Sequence, residues 1–555
     1  MGRHRKEIKI IRKKKTMNKF MNRTTIGSVM RGLCYGFTAL LFAASCANDN
    51  VTQDEKQNKD NIPAGATLFT GTSQAEATTR TAILNHTKGT GASVNWSSTD
   101  KIWVKDDAGT WQQSATATIP SAANQSFAKF SLFGTYTGAS HDIIYTNKAV
   151  TGSQPQVEIK AAQTQSAPNN FDHAGESGDC GIATGNKAGN SYKFTLDHKA
   201  SYLCFIPRTS NEYVKRSKLI KVEIMSDDEI AGTYNMAADG TLTLASGGSK
   251  TITVKTGSGF AIDNAADDMS KNATYAVVAP GTHTFRIRYW LRNTTDNPDG
   301  AIEGTVSKIV TLNCTAGSIH DITANLNPYD YDGDHYYMWD AQEQYWKGYE
   351  WNKGGSQPTL NMGRSNVYAK SNTDSRYYNE SYPGRGISNP ATHSCANLPN
   401  INELTWYAVK GNPCVDTDEL WTTMGHLYKT GLWIKKKSKI ISDEHITAAY
   451  MENGFKNAHG NYVNWKNIFT GDSDVPADIV PKFTAVPNKN DYFYLPATGF
   501  YENGRLYATG VGGNYWSADA VPTRNTYSYG FRFYKEYVNV QIMPRTVGRK
   551  AQSFE

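Results

Sequence analysis

Phe285-Arg286-Ile287-Arg288-Tyr289-Trp290-Leu291-Arg292 alternates large apolar residues with arginines. Successive side chains of an extended strand point to opposite faces. This stretch therefore sets Phe285, Ile287, Tyr289 and Leu291 against Arg286, Arg288 and Arg292, whereas a helix would scatter both sets around its axis. Outward from it, the same period returns in Tyr192/Phe194/Leu196 against Lys193/Thr195/Asp197, and in Ile220/Val222/Ile224 against Lys221/Glu223. Clusters such as Ala238-Asp239-Gly240 and Ser246-Gly247-Gly248-Ser249 break the runs at turn spacing. No long amphipathic helix interrupts them, so antiparallel β-sandwiches are expected for residues 63–327. That length exceeds one ordinary sandwich, and the region divides into 63–195 and 196–327.

At the N-terminal end, residues 1–31 carry eleven Lys and Arg against Glu7, and residues 32–45 carry no charge. The uncharged stretch is shorter than the roughly 20 residues that span a bilayer. It reads as a cleaved export signal over 1–45, closing with Leu40-Leu41-Phe42-Ala43-Ala44-Ser45 before Cys46. The small residues give a peptidase access to the bond before Cys46. The Cys46 thiol is then the expected lipidation site, holding the chain to a membrane. Residues 46–62 are polar and nearly free of large apolar groups, as suits a flexible tether. The leader alone holds more positive charge than the net +7 of the whole chain, so the remainder is net negative and nucleic acid is not an expected partner.

Residues 328–354, PYDYDGDHYYMWDAQEQYWKGYEWNKG, turn abruptly aromatic and acidic and read as a linker. Its Trp339, Trp346 and Trp351, with Trp516 further on, are candidates either to stack on sugar rings or to pack one domain against another. Asp330, Asp332 and Asp334 are spaced as chelating carboxylates, but a calcium loop of the EF type needs a Glu where Ala341 stands, and no metal is assigned. Residues 355–555 are α+β. Short helices are expected from Asn402 to Tyr407 and from Thr417 to Trp421, with Gly411 and Gly431 as stops, and strands are expected at Phe531/Phe533 and Val538/Val540/Ile542. Cys180, Cys204, Cys314, Cys395 and Cys414 follow Cys46, an odd number, so at least one thiol stays free. Outside the cytoplasm Cys395 and Cys414 are close enough in sequence to be a candidate disulfide. There is no His-Glu-x-x-His helix, no Gly-x-Ser-x-Gly elbow and no phosphate loop, and His393, His426, His445 and His459 are scattered. No enzyme activity and no cofactor is expected.

Thr79-Arg80-Thr81, then Val94-Asn95-Trp96 and Asp100-Lys101-Ile102-Trp103-Val104, resemble the opening of the fimbrillins, pilus subunits of Bacteroidota. Phe194 to His198, Gly232-Thr233-Tyr234, Val277-Val278-Ala279-Pro280 and Gly317-Ser318-Ile319 extend the resemblance over 63–327. It implies two tandem transthyretin-like sandwiches and a location at the outer membrane or in a surface fimbrium. It also implies other fimbrillin subunits as partners through donor-strand exchange, with proteolytic processing after Arg80. Tyr494-Leu495-Pro496-Ala497-Thr498-Gly499-Phe500, Gly504 and Gly513-Asn514-Tyr515-Trp516-Ser517 resemble the major paralogous domain, which is similar to C-type-lectin-like and formylglycine-generating folds. That resemblance implies a module presenting a site for a glycan or protein ligand. The copper-holding cysteine pair of the formylglycine enzymes has no counterpart after Cys414, and the last apolar strand is expected to be short or missing before Ser553-Phe554-Glu555. Together these features predict a tip adhesin. The alternative is a monomeric surface lipoprotein that captures glycans.

Cys46→Ala is expected to abolish incorporation of labelled palmitate into the exported chain and to release it from the membrane fraction, because the lipid chains supply the anchoring free energy, about 0.8 kcal/mol per buried CH₂.

Overall fold

The alternation of Phe285 to Arg292 is realised in a thirteen-residue strand, Gly281–Asn293. Phe285, Ile287, Tyr289 and Leu291 are buried, each contributing about 1.5–3 kcal/mol of apolar burial. The computed structural model describes residues 62–72, 82–84, 86–90, 92–122, 125–381, 391–457, 459–467, 479–483, 489–522 and 524–555. The Gly281–Asn293 strand pairs antiparallel with Lys218–Ser226 on one side and, over its whole length, with Ile302–Cys314 on the other. Its sheet runs Tyr492–Pro496, His426–Lys435, Cys414–Thr423, Ile302–Cys314, Gly281–Asn293, Lys218–Ser226, Thr251–Ala261 and Ala162–Thr164. A three-stranded sheet of Thr274–Val278, Ser201–Arg208 and Ile319–Asn325 shares its core, and Phe205 meets Tyr289 edge-on across it. This second region has the two facing sheets of a sandwich, but it is not wholly antiparallel as expected: Ser201–Arg208 runs parallel to Ile319–Asn325, and Thr251–Ala261 runs parallel to Ala162–Thr164. One further detail differs: a β-bulge between Leu219 and Lys221 buries Leu219, Val222 and Ile224 and leaves Ile220 half-exposed.

The first region corrects the expectation of two stacked sheets. Its strands form one sheet in the order Trp111–Gln113, Trp103–Lys105, Ser140–Tyr145, Gly181–Ala188, Ser191–Thr195, Thr67–Thr72 and Ala128–Leu132. The Ala115 amide donates to Ser131 O, and Thr118 bridges Lys129, so the two ends of the order meet and the sheet closes around Phe69, Trp96, Phe130, Tyr192 and Phe194. The boundary at 195 also needs amending. Gln156–Ile159 pairs with Ala231–Met236, Ala162–Thr164 pairs with Thr251–Ala261, and Phe171 and Ala174 lie in the core of the second region, so the chain visits the second region before returning to complete the first.

Residues 328–354 are not a solvated linker. Tyr336, Met338, Trp339, Ala341, Tyr345 and Trp346 are buried within the C-terminal domain, and Tyr336–Tyr337 pairs with Arg549–Lys550. The expected helix from Asn402 is present as Ile401–Lys410, opened by a capping box in which Asn400 accepts from the Glu403 amide while the Glu403 carboxylate accepts from the Asn400 amide. The second expected helix is instead the strand Cys414–Thr423. Asp416 does accept from the Asp418 and Glu419 amides, as a helix N-cap would, but that bond closes a bulge where the strand pairs with His426–Lys435. Gly431 lies inside that partner strand, where a Cβ would fall 2.2 Å from the Tyr494 ring. The chain finishes with strands Val538–Pro544 and Arg549–Lys550, and with Phe554 buried beside Tyr407, Phe493, Tyr515 and Phe531.

The middle of the polar face of Gly281–Asn293, expected in water, is shielded by Cys414–Thr423 at Arg286 and Arg288, while Thr282, Thr284 and Arg292 stay exposed. Arg288 pairs with Asp418 at 2.9 Å and with Glu223 at 3.5 Å, and Arg286 lies 3.5 Å from Asp416. Glu419 accepts from Ser307 Oγ at 2.8 Å, and Gly304 lets the strands approach so closely that a Cβ there would lie 2.5 Å from Asp418 O. Burial would raise the Asp416 carboxyl, but the Asp418 amide, the Arg286 and Arg288 guanidiniums and the Glu419 amide outweigh it and hold it below the usual range. Stability from this depressed group is present above the ordinary carboxylate pKa, about 3.9, and is lost as pH falls through its lower folded value. Asp416→Asn is therefore expected to cost about 3 kcal/mol at pH 7 and to flatten the acid limb of the stability curve, checked by urea unfolding followed by tryptophan fluorescence from pH 7 to pH 2.

Candidate functional site

Thr67–Thr72 is the first strand of the described chain, yet it lies inside its sheet. It runs parallel to Ser191–Thr195, from Leu68↔Ser191 to Thr72↔Thr195, and antiparallel to Ala128–Leu132, from Thr67↔Leu132 to Gly71↔Ala128. Both rows of its backbone groups are paired. Phe69 stacks on Tyr192 at 4.7 Å and meets Tyr136 edge-on at 5.2 Å. Gly71 is required by close approach, because a Cβ would lie 2.7 Å from the Phe194 ring and 3.1 Å from Trp96. Side chains alternate accordingly, with Phe69 and Gly71 turned to the core. Taking this strand away would leave two unpaired backbone edges and an apolar slot floored by Trp96, Phe130, Tyr136, Tyr192 and Phe194. Such a slot binds another extended segment by the same register rules. Arg80 falls between this strand and the next one, Ala82–Leu84, and it lies outside the described residues, as does Cys46.

The aromatic candidates of the C-terminal domain are put to a different use. Trp339, Trp346 and Trp516 are fully buried, so none offers a face to a sugar, and they pack inside that domain rather than against the sandwich. Only Trp351 remains half-exposed. The residues that stack on these rings are cations of the last turn. Arg545 sits 4.2 Å from the Trp339 ring, Arg549 4.7 Å from Trp516 and Lys550 4.3 Å from Tyr336. Burial lowers all three, Arg545 to about 10, Arg549 to about 9 and Lys550 to about 8. Their hydrogen bonds go to backbone carbonyls: Arg545 to Asn379, Ser381 and Tyr527, and Lys550 to Asp332 and Asp334. The three aspartates of the former linker are split, since Asp330 accepts from Thr422 while Asp332 and Asp334 both face His335.

Cys395 and Cys414 form no disulfide; both are buried thiols in separate clusters. Cys395 Sγ accepts from the Asp340 amide at 3.2 Å, and the Cys414 thiol donates to Asn412 O at 3.3 Å. Sequence reasoning missed Asp340. Its fully buried carboxylate accepts from the Thr392, His393 and Cys395 amides and from Asn379 Nδ2, pinning the segment before the Ile401–Lys410 helix. Its sequence context, Met338-Trp339-Asp340, carries no sign of that role. His393, His426, His445 and His459 enter no cluster of three or more ligating groups among the described residues. Between the first and second regions lies a cleft of about 540 Å³, whose wall includes Lys105, Trp111, Asp142, Gln154, Asp197 and Met236.

No family model matches the chain. No curated protein matches it. Among solved structures it is similar to a candidate cell adhesion protein from Bacteroides ovatus, with 13% identity over 47% of this chain and 91% of that one and a TM-score of 0.29. It is similar also to a fimbrial protein from Bacteroides ovatus, with 10% identity over 87% of this chain and 98% of that one and a TM-score of 0.24. A third is the fimbrial anchor protein Mfa2 from Porphyromonas gingivalis, with 10% identity over 45% of this chain and 99% of that one and a TM-score of 0.20.

Phe69→Ala is expected to destabilise the first sheet by about 3–5 kcal/mol. Hydrogen exchange should speed up in the strands neighbouring Thr67–Thr72 and stay unchanged in residues 401–555.

Proposed function

We propose that this chain is a subunit of a cell-surface fimbrium that accepts a neighbour's strand in the slot now filled by Thr67–Thr72. The observation that carries the reading is an N-terminal strand placed inside its sheet. A cut after Arg80 would leave that strand joined to the rest by hydrogen bonds and apolar contacts alone. An incoming segment could then take over its backbone pairs one for one, so that exchange changes the number of hydrogen bonds little and is decided by how well the new side chains fill the positions of Phe69 and Gly71. The lipid on Cys46 would leave with the removed piece.

The subunit is read as terminal. Donation needs a free extended segment, and here Ile319–Asn325, the last strand of the second region, runs directly into Tyr329–Asp330, which pairs with Trp421 and Thr422 of the C-terminal domain. The chain can accept but not donate, and the domain beyond residue 328, read as lectin-like, would face outward to a glycan or protein ligand without catalysing a reaction. A second reading, a monomeric lipoprotein that captures glycans, is favoured by the cleft beside Trp111, where an indole face and flanking carboxylates, amide and ammonium suit a sugar ring.

The two readings separate on Arg80→Ala. The fimbrial reading expects fibre-associated protein to begin at Thr81 in the unsubstituted chain, with antibody to residues 355–555 marking fibre ends, and expects the variant to stay lipid-bound and outside fibres. Fibre-associated material beginning at Cys46, read by N-terminal sequencing, would reject it.

A further inference from the structure

The strands Thr274–Val278, Ser201–Arg208 and Ile319–Asn325 bring Tyr275, Cys204 and Asp321 into one row, since Cys204 is the register partner of both others. Register partners share a face, so all three side chains point the same way. The loop after Ala82–Leu84 lays His86 onto this row. One ring nitrogen, Nδ1, lies 3.1 Å from the Tyr275 hydroxyl, and the other, Nε2, lies 3.5 Å from Asp321 Oδ1, beyond a normal hydrogen bond. The His86 and Cys204 side chains are almost wholly buried and Asp321 nearly so, and, apart from the Cys204 thiol directed at this carboxylate, Asp321 Oδ1 receives no hydrogen bond. The other oxygen, Oδ2, accepts from the Gly89 amide at 2.7 Å, which fixes the carboxylate's direction.

We propose that His86, Cys204 and Asp321 bind a divalent zinc-type cation that pins the 82–95 hairpin to the second region. One imidazole nitrogen, one thiolate and one carboxylate oxygen are the donor types zinc takes, and the three ligand atoms lie within 4.8 Å of one another. Zinc bonds of about 2.0–2.3 Å in a tetrahedron separate neighbouring donors by about 3.3–3.6 Å, so the His86–Asp321 spacing already fits, and the thiol, within 4.8 Å of both, is near enough to close onto the ion. The Cys204 thiol, directed at Asp321 and Tyr275, is held protonated by burial, and burial keeps His86 neutral. Binding would replace the thiol proton, which leaves to solvent, by the metal–sulfur bond. The Tyr275 hydroxyl, which donates to Asn169 Oδ1, would accept from His86 Nδ1–H and orient Nε2 toward the ion. Two other clusters, Asp227/Asp228/His283 and Asp332/Asp334/His335, contain no sulfur and are mostly exposed. The proposal stands whether or not Arg80 is cut.

The test uses the full chain, stripped with chelator and titrated with Zn²⁺ alone and with Co²⁺ alone. One cobalt per chain with a sulfur-to-cobalt charge-transfer band in the near ultraviolet, displaced by zinc, is expected. So is zinc-dependent protection of residues 82–95 from hydrogen exchange. The band should vanish in Cys204→Ser and persist in Cys314→Ser. Tyr275→Phe should weaken cobalt about 10–100-fold without removing the band. Asp321→Asn, which keeps an acceptor for the Gly89 amide, provides a second ligand variant should Cys204→Ser fold poorly, and it should also lose high-affinity binding. Absence of the band in the unsubstituted chain, its survival in Cys204→Ser, or undiminished affinity in Asp321→Asn would each overturn the site.

Discussion

Arg286 and Arg288 stand on the outer face of the longest apolar strand in the second region, and their burial under Cys414–Thr423 is the constraint on which the joint to the C-terminal domain depends. A guanidinium shielded from water needs a carboxylate, and a carboxylate so placed needs the guanidinium, because removing either leaves an uncompensated charge. The acids that answer them come from a bulge that brings Asp416, Asp418 and Glu419 together on one strand. Its short, charge-paired contact is reinforced by Lys429 reaching Glu303 O and by Asn297 reaching Leu427 O. The joint thus combines direction and charge with apolar contact, since Leu420 and Leu427 are buried in the core of the second region. A continuous nine-stranded sheet passes through it.

Within the C-terminal domain a related economy operates. The final residues supply Arg545, Arg549 and Lys550, and each cation finds an aromatic face together with backbone carbonyls rather than an acid as its main support. Carbonyl acceptors satisfy several of the donors without importing another charge, although Arg545 Nη2 and Arg549 Nε find none, and the ring quadrupole offsets part of the desolvation cost. The aromatic residues of 328–354 are consumed by this arrangement, which closes the end of the chain onto its beginning in the domain. Phe554, four residues after Lys550, seals the opposite core against Tyr407 and Phe531.

The N-terminal region is built differently. Its first strand is interior and joined to the rest of the sheet by two ladders, while the hairpin that follows rests on the second region through His86, Lys88 and Gly89. Two consecutive pieces of chain therefore belong to two different cores. Loss of the first need not disturb the second, and that separation is the physical basis on which strand replacement becomes reasonable.

How much of this was legible beforehand follows from what a local pattern can encode. Period two at Tyr192/Phe194 and Phe285/Leu291 determined strands and their apolar faces, and the run from Asn402 announced a helix, whose start at Ile401 and capping by Asn400 and Glu403 the structure supplied. A similar local pattern misled at Thr417 to Trp421, where Asp416, accepting the two amides ahead of it, serves a bulge as readily as a helix, and only pairing with His426–Lys435 chose between them. Alternation named Arg286 and Arg288 as one face but not what would cover it. The aromatic richness of 328–354 announced large apolar surfaces, and tertiary packing decided that they are core. His86, Cys204 and Asp321 were invisible as a group, since they meet only through the register of three strands and one loop. Sequence alone determined which side chains share a face; the partner of each face was decided by the tertiary structure, because burial and charge pairing are properties of two surfaces and a local pattern describes one.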